Sequence, residues 1–458
     1  MEPFQREFGT EVVGTKAGII SSMYQIGNVC ALPFIGGLVD TWGRRIGTMI
    51  GCLIIIVGTI LQGTSSGTGN MGQFIGGRFF LGFGVAIASS SAPMYVVETI
   101  HPCYRGTVGA LFNTLYFAGS IVASGTTRGC LVYDSNKAWL VPTWVQMVIP
   151  GIVAITVPFL PESPRWLYTH DRQEEAKALM IKYHGNDNSD SVYVSLQLTE
   201  FAEQLNLDGA DKRFWDYRAL FGSRSSLWRI GLVALFGAFA QWSQGGVGYY
   251  VGGFYASTGI TNEFTVLDLN LGISLMNAAF AVTGANFADR WGRRKMLIFC
   301  YSSLVFTWIG VCAGAGVYAQ SKSKSAATAG IFFYWLASAL YAFCITPLQA
   351  LYPAEILSYE QRAKGMAFSS FANNAALMVN QFGTPVAMEV IGWKLYPVYG
   401  SWTLFQAIVS YFVFPETKGY TLEELDLVFA AKNPRKESTR VKKIAVDENL
   451  NVIPVLED

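Results

Sequence analysis

Eleven long apolar runs limit what this chain can fold into. They lie at roughly 17–38, 46–63, 73–96, 107–127, 142–160, 228–255, 268–288, 296–318, 327–353, 364–390 and 396–414, and none is shorter than 18 residues. A hydrocarbon core about 30 Å thick takes roughly 20 residues of helix to cross. Lipid offers no water to backbone N–H and C=O groups, so a crossing segment must satisfy them internally, which selects helix over open sheet. The composition agrees, with 51% of residues hydrophobic and 14% charged, against about 25% charged in an ordinary soluble domain. The expected fold class is an all-α membrane protein with eleven spans. A formal net charge of +1 supplies no electrostatic footprint for nucleic acid.

The basic residues orient the spans. Loops holding Arg44/Arg45, Arg105, Arg165 to Arg224, Arg290 to Lys295 and Arg362/Lys364 alternate with loops that carry only Arg128, Lys137, Lys322, Lys324 and Lys394. The first set is expected at the cytoplasm, which puts the N-terminus outside and the C-terminus inside. The longest interruption, 161–226, separates five spans from six. It reads as a cytoplasmic helical linker, with one apolar stripe at Ala176, Leu179, Met180 and Tyr183, a turn at 186–190, and a second stripe at Leu198, Phe201 and Leu205. The expected organisation is an N-terminal bundle over 1–160, the linker over 161–226, a six-span bundle over 227–414 and a cytoplasmic tail over 415–458. The seven cysteines fall mostly inside apolar runs and read as reduced packing residues. The three histidines show no metal-ligand spacing. There is no G-x-x-x-x-G-K-[ST] for a nucleotide-driven pump and no nucleophile–base constellation, so neither an enzyme nor a cofactor is expected.

The two halves repeat each other. Asp40-Thr41-Trp42-Gly43-Arg44-Arg45 recurs 249 residues later as Asp289-Arg290-Trp291-Gly292-Arg293-Arg294. Glu98 and Arg105 stand seven apart, as do Glu355 and Arg362. Pro161-Glu162-Ser163-Pro164-Arg165 ends the first half and Pro415-Glu416-Thr417-Lys418-Gly419 ends the second. All of these elements fall on the expected cytoplasmic side, the pattern of two parallel repeats about an axis along the membrane normal.

These motifs together, spread over about 17–425, resemble the signature of the sugar porter family of the major facilitator superfamily. Gln241-Trp242-Ser243, Tyr249-Tyr250, Thr346-Pro347-Leu348, Arg362-Ala363-Lys364-Gly365 and Gly392-Trp393-Lys394 are most similar to fungal lactose permeases and their hexose-transporter relatives. The resemblance implies a major facilitator fold of two helical bundles related by pseudo-two-fold symmetry. The family has twelve spans with both termini inside, and the first span here matches the family's second. The chain is therefore expected to lack the family's first span, to give little uptake in a transport-null host, and to regain it with an upstream span restored. The implied function is transport of a hexose or a disaccharide such as lactose by alternating access, driven by the sugar gradient or by protons. The partners are then a sugar, protons in a coupled form and the lipid bilayer, for a monomer in the plasma membrane. A nutrient sensor on the same fold is the rival reading, against which the short tail counts; a non-functional truncation is another.

The resemblance also assigns roles. Asp40, Arg44, Arg45, Glu98, Arg105, Glu162 and Arg165 in one half, and Asp289, Arg293, Arg294, Glu355, Arg362 and Glu416 in the other, form ion-pair networks that close the inner face. Partly desolvated charges beside a bilayer form stronger networks than exposed pairs, which contribute about 0–1 kcal/mol, although such residues can also serve only to anchor helix ends. Sugar hydroxyls need donors and acceptors together, and neutral amides supply both. Asn277, Asn373 and Gln241 match sugar-contacting amides of the family, Gln244 shares the face of Gln241, and Asn113 stands where many hexose carriers have Gln. Asn374 and Asn380 are further candidates. Interhelical hydrogen bonding is the alternative role for all of these. The pocket departs from a glucose pocket: Ala350 and Asn374 stand where hexose carriers place Trp, and the Gln241–Tyr250 segment is one residue short. Arg78 is an intramembrane charge and so a functional candidate. In the family's proton symporters the matching Arg pairs with an Asp of the first span; otherwise Arg78 snorkels to the outer headgroups.

Overall fold

The computed structural model describes residues 2–9, 15–185, 187–188, 191, 194–199, 201, 218–358, 362–420, 422–439, 443–446 and 452–455; at 2, 97, 102–114, 218–219, 245, 289, 350, 362–364, 422–423, 443–446 and 452–455 only the backbone is described. Eleven long helical segments follow the eleven apolar runs. They are α1 (Thr15–Trp42), α2 (Arg44–Thr68), α3 (Met71–Thr99), α4 (Pro102–Cys130), α5 (Lys137–Phe159), α6 (Arg224–Ala240), α7 (Glu263–Trp291), α8 (Arg293–Ser321), α9 (Lys324–Ile356), α10 (Arg362–Ile391) and α11 (Leu395–Val413). Among the described residues seven of them, α1, α2, most of α3, α5, most of α7, α8 and α9, are long and apolar enough on their own to cross a membrane. By contrast α10 carries a buried polar face of Ser369, Asn380, Gln381 and Thr384. Helix starts are fixed by side-chain caps where the sequence offers them. Asn70 accepts from the N–H groups of Gly72 and Gln73 at the head of α3, and Asn262 from those of Phe264 and Thr265 at the head of α7. Outward faces are apolar and open, as at Phe306 (72% exposed) and Val390 (75% exposed), which is the arrangement lipid requires.

The packing repeats as the sequence does. In the first half α2 lies on α3, α1 on α3 and α2 on α5; in the second α8 lies on α9, α7 on α9 and α8 on α11. The halves meet through α1 on α10 and α4 on α7. Matching α1–α5 to α7–α11 exchanges these two contacts, so the interface is itself two-fold. The fold is all-helical within the bundles, a major facilitator architecture. α6, in the second half, is continued by a π-helical turn, Gln241–Gly245, and the short helices Gly246–Tyr249 and Val251–Ser257.

The linker holds the helices Pro164–Thr169 and Gln173–Tyr183. Only part of its first expected stripe is inward: Ala176 and Met180 are buried, whereas Tyr183 is 55% exposed. Leu205 and much of the 186–190 turn lie outside the described residues. The tail packs on the second half. Its helix Leu422–Ala430 buries Leu425, Val428 and Phe429, and beyond it Lys443–Val446 pairs antiparallel with Val452–Val455. Among the described residues the cysteines are free thiols, and four of them are buried.

Candidate transport site

The repeated motif is not a loop. Asp40, Thr41 and Trp42 form the last turn of α1, Gly43 is the only break, and Arg44 opens α2. The second copy does the same, with Gly292 between α7 and α8. Gly43 has φ 99° and ψ 160°, and Gly292 has φ 90° and ψ 155°, a region open essentially to glycine alone. A Cβ at either position would also run into a carboxylate, Glu162 or Glu416.

That carboxylate caps the helix after the break. Glu162 Oε1 accepts from the N–H groups of Arg45 (3.2 Å) and Ser163 (2.9 Å). Glu416 Oε1 accepts from those of Arg293 (2.8 Å), Thr417 (3.1 Å) and Lys418 (3.1 Å). The helix N-terminus favours the negative charge. The arginine that opens each helix then meets the glutamate of the next motif. Arg44 Nε lies 3.0 Å from Glu98 Oε2, and Arg293 Nη2 lies 2.7 Å from Glu355 Oε1. Ser163 and Thr417 each donate a hydroxyl to the same glutamate at 2.5 Å. Arg44 and Arg293 also donate to the carbonyls of Val39 and Ala288, and Arg45 and Arg294 to those of Leu160 and Tyr411. Two matched tyrosines, which the sequence reading did not single out, complete each copy: Tyr95 donates to Pro161 O (2.7 Å) and Tyr352 to Pro415 O (2.8 Å). They stand 257 apart, the Glu98–Glu355 offset, and that spacing was the signal available.

Each of these bonds lies within one half. Asp40 pairs with Arg44 at 3.3 Å and is 67% exposed, and Arg165 acts on its charge from the helix Pro164–Thr169. The side chains of Arg105, Asp289 and Arg362 lie outside the described residues. At the other end of the helices the halves are tied together. Arg128 of α4 donates to Asp268 of α7 through Nε (2.5 Å) and Nη2 (3.3 Å) and lies over the Phe264 ring. Below it Ser120 donates to Ser274 at 3.2 Å.

The candidate sugar amides separate into two groups. Gln241 Nε2 donates to Asn373 Oδ1 at 2.9 Å, joining the π-turn to α10. Asn380, on the same helix as the buried Ala376 and Leu377, donates to the Gln241 carbonyl at 2.6 Å. Gln244 is buried beside Tyr334 of α9. Asn277 instead forms a reciprocal pair with Ser338 of α9, at 3.0 and 3.1 Å. Asn374 folds back on its own helix, donating to Ser370 O. The side chains of Asn113 and Ala350 lie outside the described residues. Arg78 has no hydrogen-bond partner at its buried Nε among the described residues. It sits beside Tyr24 and Tyr250 with its guanidinium over Phe74. Phe74, one turn outward, is closed over by Phe4, Phe8 and Trp139.

Residues 2–429 match the family described as "Sugar (and other) transporter". A high-affinity glucose transporter of Kluyveromyces lactis is 30% identical, over 92% of this chain and 78% of its own length. A quinate permease of Emericella nidulans is 25% identical, over 94% of this chain and 84% of its own. Among solved structures, the inward-open xylose transporter XylE from E. coli superposes with a TM-score of 0.74 at 18% identity, covering 93% of both chains. That last likeness concerns the fold.

Proposed function

The chain belongs to the sugar (and other) transporter family, and from that premise we propose that it carries a neutral hexose, or a disaccharide such as lactose, across the plasma membrane by alternating access. The observation that carries this reading is the Gln241–Asn373 pair. Two neutral amides from different helices meet beside the π-turn, and between them they offer the donors and acceptors a sugar hydroxyl needs. Asn277 with Ser338 extends the same chemistry along α9, where Gln244 stands beside Tyr334. The motif-bearing end is the cytoplasmic one, as its arginines require. The mirrored glutamate–arginine networks brace each half as a rigid body, and the Arg128–Asp268 pair holds the outer side shut. Transport then consists of rocking these two bodies about the α1–α10 and α4–α7 contacts.

The test is uptake of labelled D-glucose, D-galactose, D-xylose and lactose by yeast that lack their own hexose carriers, together with stabilisation of the purified chain by each sugar. At least one sugar is expected to stabilise the protein, or to be carried by the chain or by a form with an upstream span restored, and Gln241→Ala is expected to weaken the effect. No uptake and no stabilisation by any of the four would refute the proposal. Uptake with and without a protonophore decides between facilitated and proton-driven transport.

A further inference from the structure

We propose that Asn380, Tyr399 and Thr384 are positioning residues that set the sugar selectivity of the π-turn without touching sugar themselves. The inference rests on the reading of Gln241 as a sugar contact and names what holds that contact in place.

A π-turn is wider than an α-turn and upsets the regular carbonyl ladder of its helix. Here the carbonyls of that stretch are met by side-chain donors from four different helices. Phe239 O accepts from Gln406 Nε2 of α11 (3.0 Å) and Ala240 O from the Tyr341 hydroxyl of α9 (2.9 Å). Gln241 O accepts from Asn380 Nδ2 of α10 (2.6 Å) and Ser243 O from Trp308 Nε1 of α8 (3.1 Å). Asn380, Trp308, Gln406 and Tyr399 are all buried, so a lost bond there is not replaced by water.

Asn380 holds the central place because its amide has only one orientation that works. Its Oδ1 accepts from the Tyr399 hydroxyl (3.2 Å), whose oxygen is left to accept from Thr384, and this leaves Nδ2 to donate to Gln241 O. Turned over, the amide would set its oxygen against that carbonyl. Tyr399 is fixed in turn by Thr384 (3.0 Å) and by stacking on Trp308, with centroids 5.2 Å apart and planes 16° apart. Trp308 returns to the π-turn at Ser243. The path Gln241, Asn380, Tyr399, Trp308, Ser243 is therefore closed, and every member is neutral. Gly246 shows how tightly the trio follows the turn, since a Cβ there would strike Tyr399, Thr384 and Asn380 together. Gln241 is thus gripped twice, at its main chain by Asn380 and at its side chain by Asn373. A binding group held this way keeps its aim to within a few tenths of an ångström, which discrimination between sugar epimers requires.

The test uses the full chain, with D-glucose and D-galactose as probes, in the transport-null yeast. Tyr399→Phe removes one hydroxyl and keeps the ring on Trp308; Thr384→Val keeps volume and removes the other hydroxyl. Each is expected to raise KM for the preferred hexose about tenfold, the loss of roughly one buried hydrogen bond, with Vmax per surface molecule within about twofold. The ratio of the two sugars' KM values should move toward unity. Unchanged KM and ratio, or a fall in Vmax alone, would overturn the proposal, because a merely structural role lowers Vmax and leaves the ratio alone. Should a variant not reach the surface, the same ratio is read from sugar-induced stabilisation of protein purified from whole membranes. Gln241→Ala runs in parallel. If it leaves KM and ratio untouched, the sugar-contact reading falls and this inference with it. If it alone raises KM, only the positioning role falls. A wild-type chain that neither carries nor is stabilised by either hexose overturns the inference for hexoses.

Discussion

Gly292→Ala tests the mirrored motif at its tightest point. Two separable penalties follow from the structure. With φ 90° and ψ 155°, the backbone is in a region that costs a non-glycine residue about 1–3 kcal/mol. The new methyl also meets the Glu416 carboxylate, which must move away from the N–H groups of Arg293, Thr417 and Lys418. Net hydrogen bonds to a charged group contribute about 1.5–3 kcal/mol when buried, and these are only partly buried, so about 2 kcal/mol is lost in all. The sum is about 3–5 kcal/mol. For a chain of this length that lowers the unfolding midpoint by about 3–10 °C, read by thermal unfolding of purified protein in detergent. Gly36→Ala is the control. Gly36 is helical with open space around it, so alanine there should be neutral or slightly stabilising. The double variant Gly292→Ala/Glu416→Ala separates the two penalties: the collision vanishes, the backbone strain stays, and the losses add to less than their sum. A Gly292→Ala midpoint equal to that of Gly36→Ala would refute the reasoning, as would strict additivity with Glu416→Ala.

Three further outcomes are expected. Reversing the charge of Arg128 or Asp268 alone should increase labelling of a Ser274→Cys variant by a membrane-impermeant thiol reagent added outside, in a background freed of other cysteines. Exchanging the two charges should restore protection, and equal labelling in all forms would remove the pair from the outer closure. Arg229→Met should destabilise the chain by about 2 kcal/mol and expose the tail to protease, since Arg229 is buried and donates to Ile356 O and Asp426 and its removal leaves those partners unmet. Retained protease resistance would count against that clamp. Asn277→Ala should leave Ser338 without its partner and weaken sugar binding less than Gln241→Ala does, measured as sugar-induced stabilisation; a larger loss at Asn277 would move the centre of the site to the α7–α9 pair.

How far the residues alone could be read depended on how local the physics was. Span positions, helix content and the two-fold repeat were legible because apolar length and motif spacing are properties of contiguous sequence. At the motifs Arg44, Glu98, Arg293 and Glu355 were named from the repeat and meet in pairs, while the side chains of Arg105, Asp289 and Arg362 lie outside the described residues and the form of the motif was misread. A six-residue polar stretch reads as a loop, but Asp40 and Arg44 lie in helices, because one glycine at positive φ suffices to turn the chain. Tyr95 and Tyr352 went unremarked because tyrosine in an apolar run reads as packing until its hydroxyl is seen on a proline carbonyl. Gln241 and Asn373 were named singly on resemblance; that they bond each other, while Asn277 turns to Ser338 and Asn374 to its own helix, depends on which face each helix presents.

The sequence by itself determined that this chain lives in a membrane as a bundle of helices built twice on one plan, since hydrophobic length, charge placement and repeated spacing are written along the chain. The tertiary structure alone decided that the helix after Ala240 widens into a π-turn, and that Asn380, Tyr341, Trp308 and Gln406 come from four other helices to meet its carbonyls. No local pattern encodes that meeting. The residues involved are far apart in the sequence, and only the packed bundle brings each donor within 3.1 Å of its carbonyl.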